Sequence, residues 1–105
     1  QGTLDLLVLR VLSLGPMHGW GIGERIGLLS GEVFQVNQGS LYPALQRMRR
    51  KGWIRAEWRR TEHNRRARYY ELTGLGERQL AREVEGWRRA SGAVDRILTA
   101  ALSEV

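Results

Sequence analysis

The apolar residues of this chain switch from helical to alternating spacing after Gly52, and return to helical spacing after Thr73. Ile54, Ala56 and Trp58 share one face of an extended run, and Arg55, Glu57 and Arg59 share the other. A polar stretch, Thr61-Glu62-His63-Asn64, separates this run from a second one, Ala67 to Leu72, which carries Tyr69 and Tyr70. Two such runs around a short polar connection predict a β-hairpin with arginines at its tip.

The rest of the chain reads as helices. Leu4, Leu7, Val8, Val11 and Leu12 predict a first helix over 3–14, capped by Thr3 and stopped by Gly15-Pro16. Ile22, Ile26 and Leu29 predict a second, from about His18 to Leu29. Its glycines, Gly19, Gly21, Gly23 and Gly27, each cost a helix interior about 1 kcal/mol against alanine, so they point to close backbone packing. Val33 to Val36 reads as a short strand, and Asn37 to Ser40 as a turn. A third helix then follows, with Ser40 as its cap and Pro43 in its first turn. Leu41, Leu45 and Met48 form its buried stripe, and Gly52 ends it behind the cationic run Arg49-Arg50-Lys51. A long last helix, about Leu75 to Ala101, carries a stripe of Leu80, Val84, Trp87, Val94, Ile97, Leu98 and Ala101, with Gly86 and Gly92 as points where it can bend.

Three helices, a hairpin and a long helix make a mostly α fold with a small β-hairpin: a winged helix-turn-helix plus a C-terminal helix. In that plan the third helix enters the DNA major groove. At 105 residues the chain forms one compact unit with a modest core, so part of its apolar surface is expected to need a partner subunit. Residues 1–73 read as the DNA-binding part and 74–105 as a separate C-terminal helix.

Charge designates the same surface as topology. The net charge is +6, and residues 46–70 hold ten basic side chains against two acidic ones. Nine of those ten are arginine, whose planar fork grips phosphate in two places. The block opens in the third helix and runs through the hairpin, where a polyanion is the natural partner. An arginine-rich solvated face accounts for the charge alone, but not for its place in the fold.

Other classes find little support. There is no cysteine, and His18 and His63 stand apart from any carboxylate pattern that would hold a metal. No phosphate loop, catalytic carboxylate pair or nucleophile motif is present, so no enzyme, catalytic residue or cofactor is expected. No apolar run approaches the roughly 18 residues of a membrane span, and no secretory signal is visible at Gln1. The expectation is a cytoplasmic chain without membrane contact.

Within the cationic surface, Gln38 and Gln46 can pair with adenine edges, and arginines with guanine. Ser40 lies near a helix N-terminus, where free N–H groups favour phosphate. Arg47 and Arg50 are expected to face DNA, with a surface ion pair as the alternative. Arg65 and Arg66, nearest the hairpin tip, are expected at phosphate or the minor groove, ahead of Arg68. Tyr69, Tyr70, Trp53 and Trp58 read as core or hairpin packing.

Several segments resemble the PadR-like transcriptional regulators: Leu14-Gly15-Pro16-Met17-His18-Gly19-Trp20-Gly21-Ile22, Gly39-Ser40-Leu41-Tyr42-Pro43-Ala44-Leu45 with Arg47-Met48, Gly52-Trp53-Ile54, and Arg68-Tyr69-Tyr70-Glu71-Leu72-Thr73 with Gly76. The resemblance covers nearly the whole chain in order. Trp20 stands where the family usually has tyrosine, and the tip Asn64-Arg65-Arg66-Ala67 departs from the usual Gly-Arg-Pro-like wing. The resemblance implies a homodimer, joined through the last helix, that binds double-stranded DNA and represses promoters. It also implies Tyr42 and Pro43 as DNA contacts. Some short-tailed members bind flat aromatic drugs between subunits on a last-helix tryptophan, and Trp87 stands at a comparable place. Read from its own stripe, a tryptophan on the apolar face of a helix is more often core or dimer packing than a ligand plate. A winged-helix module for protein contacts is the main alternative, since the fold does not fix function. RNA binding would call for exposed aromatic platforms.

Overall fold

The computed structural model describes residues 2–102. The first helix, α1 (Gly2–Ser13), stops where Gly15 and Pro16 break it. Thr3 lies inside this helix instead of capping it. The chain then forms a two-residue strand, β1 (Met17–His18), and turns into α2 (Gly19–Leu29). His18 caps α2, its Nδ1 accepting the Gly21 amide at 3.0 Å. The next helix, α3 (Gln38–Arg50), leads to a hairpin of β2 (Ile54–Arg60) and β3 (Arg66–Leu72), and α4 (Gly74–Thr99) follows. Residues 103–105 of the expected C-terminal segment lie outside the described residues.

The sheet is antiparallel in the order β1-β3-β2, with Met17 opposite Tyr70 and His18 opposite Tyr69. The expected strand at Val33–Val36 is absent: the stretch is irregular. Alternating sequence makes a strand only where a neighbour supplies ladder partners, and β3 offers its free edge to Met17 and His18 instead.

The start of α3 also differs from expectation. Asn37 is the cap, its Oδ1 accepting the Ser40 amide at 2.8 Å, so Ser40 sits in the first turn. Pro43 therefore falls in the second turn, inside the helix, where its ring removes the bond to the Gly39 carbonyl. The far end closes as the sequence indicates. Gly52 takes φ +78°, and the Gly52 and Trp53 amides donate to the Arg49 and Met48 carbonyls, both at 3.0 Å. This is the double bond of a Schellman cap.

The core joins Val8, Leu9, Val11 and Leu12 of α1 to Ile22 and Ile26, then to Leu41, Ala44, Leu45 and Met48, and finally to Ile54 and Tyr70. Each large side chain withdrawn in this way contributes about 1.5–3 kcal/mol. Two glycines permit close approaches that position α3 and α4. At Gly19 a Cβ would stand 2.6 Å from the Tyr42 hydroxyl, and at Gly76 it would run into the Trp53 carbonyl. Thr73 fixes that second junction: its hydroxyl donates to the Gly52 carbonyl at 2.6 Å and accepts the Gly76 amide at 3.0 Å.

The α4 helix is uninterrupted through Gly86 and Gly92. Leu80 packs on the core, but Trp87, Val94, Ile97 and Leu98 are exposed. The molecule measures 63 × 28 × 22 Å, with a radius of gyration of 16.5 Å, against about 13 Å for a compact domain of this size.

Candidate nucleic-acid interface

Helical rotation divides α3 into a buried strip, an exposed strip opposite it and two flanks. Leu41, Ala44, Leu45 and Met48 are buried. Gly39, Pro43, Gln46 and Arg50 occupy the opposite, exposed strip. Ser40 and Arg47 flank it on the side of α1, where they line a shallow groove with Leu4 and Pro43. Tyr42 and Arg49 flank it on the other side, and Tyr42 borders a groove shared with the hairpin.

The sequence-expected residues therefore separate. Arg50, Pro43 and Tyr42 are open to an outside partner, and Gln38 is partly so at the helix start. Arg47 is held within the chain. Its two terminal nitrogens each meet a carboxylate oxygen of buried Asp5 at 2.9 Å, binding α3 to α1. That hydrogen bonding raises the Arg47 pKa further above its ordinary value. The surface ion-pair alternative is thus realised for Arg47, and Arg50 carries no ion pair among the described residues.

The hairpin sorts its charges by face. Arg55, Glu57 and Arg59 on β2 lie opposite Glu71, Tyr69 and Ala67 on β3. Arg55 pairs with Glu71 at 3.0 Å, and Arg59 with Glu57 at 2.9 Å. The Arg59 guanidinium, mainly through its hydrogen bond, holds the Glu57 carboxyl below its usual range. This face neutralises itself. On the other face Ile54, Ala56, Trp58 and Arg60 lie opposite Leu72, Tyr70, Arg68 and Arg66. Its base enters the core, and its outer half carries three arginines and no acid.

Arg65 and Arg66 are exposed beside the tip loop, as the sequence places them. Arg66 lies over the Trp58 ring at 5.1 Å. Arg60, which donates to Asn64 Oδ1 at 3.0 Å, was passed over in the sequence reading. The signal was there: extending the period of two from Ile54 through Trp58 reaches Arg60.

The packing expectations divide as well. Tyr70 is buried, which pushes its phenol pKa up, and Tyr69 meets His18 edge-on at 5.4 Å. Trp58 is 57% exposed and Trp20 60%. Trp58 is a hairpin residue but not a core one, because the strands outrun the helices beneath them.

A third groove, of about 350 Å³, lies between α1 and α4, lined by Leu6, Gln79, Arg82, Glu83, Gly86 and Trp87 among others. Among the described residues no cluster of three or more metal-ligating side chains occurs, and no helix is long and apolar enough to cross a membrane.

A family model for the transcriptional regulator PadR-like family matches residues 8–82. An uncharacterized protein from Lysinibacillus sphaericus is 27% identical over 95 residues, covering 90% of this chain and 87% of its own. Among solved structures, a PadR family transcriptional regulator from Eggerthella lenta superposes with a TM-score of 0.79 at 26% identity, over 95% of this chain and 85% of that one. A PadR-like transcriptional regulator from Bacillus cereus gives a TM-score of 0.83 at 24% identity, over 95% of both chains, and so shares the fold. With the winged helix-turn-helix architecture in place and the family model spanning most of the sequence, the chain belongs to the PadR-like family of transcriptional regulators.

Proposed function

We propose that this regulator binds double-stranded DNA as a homodimer, represses transcription in the cytoplasm, and is released by a flat aromatic effector. One observation carries the DNA reading: the exposed strip of α3 and the acid-free face of the hairpin leave their arginines unneutralised. Gln38, Ser40, Tyr42, Pro43 and Arg50 supply the helix contacts, and Arg65 and Arg66 the wing contacts. Arg47 serves by fixing α3 on α1, with any contact to DNA secondary to its bond with Asp5.

Residues 1–73 form the DNA-binding part and 74–105 the dimerisation helix. The bare stripe of Trp87 (51% exposed), Val94 (51%), Ile97 (75%) and Leu98 (75%) supports that division, since a lone chain gains nothing by exposing it. The groove beside Trp87 supports an effector site that the partner subunit would complete.

Fluorescence anisotropy with a duplex from the protein's own upstream region, against a scrambled duplex and across a salt series, tests the reading. Tight, salt-steep and sequence-selective binding is expected. Replacing Arg65 and Arg66 together by alanine should flatten the salt slope by about one to two units. Weak, salt-insensitive binding to both duplexes would move the function to a protein partner.

A further inference from the structure

We propose that the groove between α3 and the hairpin is a phosphate-binding site centred on Arg68. The groove, of about 450 Å³, is lined by residues of five elements, among them Trp20, Tyr42, Gln46, Trp58, Arg68 and Tyr70. Arg68 faces Trp58 across the strand register. Its Nε is sealed from solvent and, among the described residues, meets no hydrogen-bond partner. Buried donors are almost always matched, so the unmatched Nε marks a guanidinium that the chain leaves incompletely partnered, with its terminal nitrogens as the part a groove ligand can meet. None of the ion pairs among the described residues involves Arg68, and no acid lines the groove.

The surrounding groups fit a phosphate joined to a ring. Arg68 offers a preorganised fork for two phosphate oxygens. The Tyr42 hydroxyl and the Gln46 amide add neutral donors on the α3 side. Trp20, Tyr42 and Trp58 are 60%, 43% and 57% exposed, so three partly open rings border one cationic centre, with Arg66 over one face of Trp58. Such faces pack against a sugar or stack on a base. Two sources share this chemistry: the phosphodiester of a DNA strand running between α3 and the hairpin, and the phosphomonoester of a free nucleotide. The first source rests on the DNA-binding reading, and the second does not.

The test combines duplex titration with intrinsic tryptophan fluorescence on the full chain. It uses wild type, Arg68→Gln, Arg68→Lys, and Arg55→Gln as a control on the self-neutralised face. If the site holds a DNA strand, Arg68→Gln weakens duplex binding by about tenfold or more, Arg68→Lys recovers part of it, and adenosine monophosphate at matched ionic strength leaves fluorescence unchanged. If the site holds a free nucleotide, adenosine monophosphate quenches fluorescence in wild type and not in Arg68→Gln, whether or not duplex binds. The lysine variant separates loss of the fork from loss of folding. Wild-type duplex affinity in Arg68→Gln, together with no Arg68-dependent response to adenosine monophosphate, overturns the proposal and leaves the DNA reading standing. Absence of duplex binding in wild type refutes that reading instead, while the nucleotide arm still decides the site.

Discussion

The α3 and α4 helices are both amphipathic, yet the fold finishes with them in opposite ways. In α3 every apolar stripe residue is buried at 3% exposure or less, and the charge left outside gathers at its C-terminal end, in Arg49 and Arg50 and the capping Lys51. In α4 the stripe is covered only near Leu80, and from Trp87 onward its apolar residues stay outside. Surface left over after folding indicates the partner that completes it. Unneutralised arginine asks for a polyanion, and a bare leucine and isoleucine stripe asks for another protein surface.

The contrast breaks most easily at α4. Changing Ile97 and Leu98 together to aspartate should raise the dimer dissociation constant by about 100-fold or more, because carboxylates would be buried unpaired. Sedimentation across a concentration series reads this out, and an unchanged dimer would mean that the stripe is not the contact. The junction between the two helices comes next. Gly76→Ala forces a Cβ against the Trp53 carbonyl, and should lower the unfolding free energy in urea by about 2–3 kcal/mol. A loss under half a kcal/mol would show a junction that yields.

Smaller effects sharpen the account of α3. Asp5→Asn removes the charge that holds Arg47 and should destabilise by about 1–2 kcal/mol, discounted for the partial exposure of the pair. If stability is retained in thermal unfolding, Arg47 is free for DNA after all. Asn37→Ala should cost about 1 kcal/mol while Ser40→Ala costs little. The reverse ranking would restore Ser40 as the cap.

Much of this was legible in the sequence because it is local. The four helices, the hairpin, the stripe of Leu41, Leu45 and Met48, and the stop at Gly52 follow from periodicity and turn chemistry a few residues wide. The misreadings share a different cause. Asn37 and Ser40 are both good caps three residues apart, and nothing local ranks them. The β1 strand depends on an edge some 50 residues away in β3, and two residues carry no period. Which of the two readings of Arg47 holds, ion pair or DNA contact, was likewise not decidable locally, because its partner Asp5 is 42 positions distant. Trp58 looked buried because alternation gives the face of a strand but not how far the helices extend beneath it. For the candidate site, the sequence located the cationic surface, while the partition of its arginines into paired and unpaired needed the strand register.

One hydroxyl has a mechanical consequence. The Thr73 hydroxyl is bonded at once to the turn that ends α3 and to the Gly76 amide in the first turn of α4, and Gly76 leaves no slack between them. A change in how two long helices cross would therefore not be absorbed in a linker. It would arrive as rotation of the rigid body that carries α3 and the hairpin, altering the span between the two reading heads of a dimer, so that the joint works as a stiff elbow and not as a hinge.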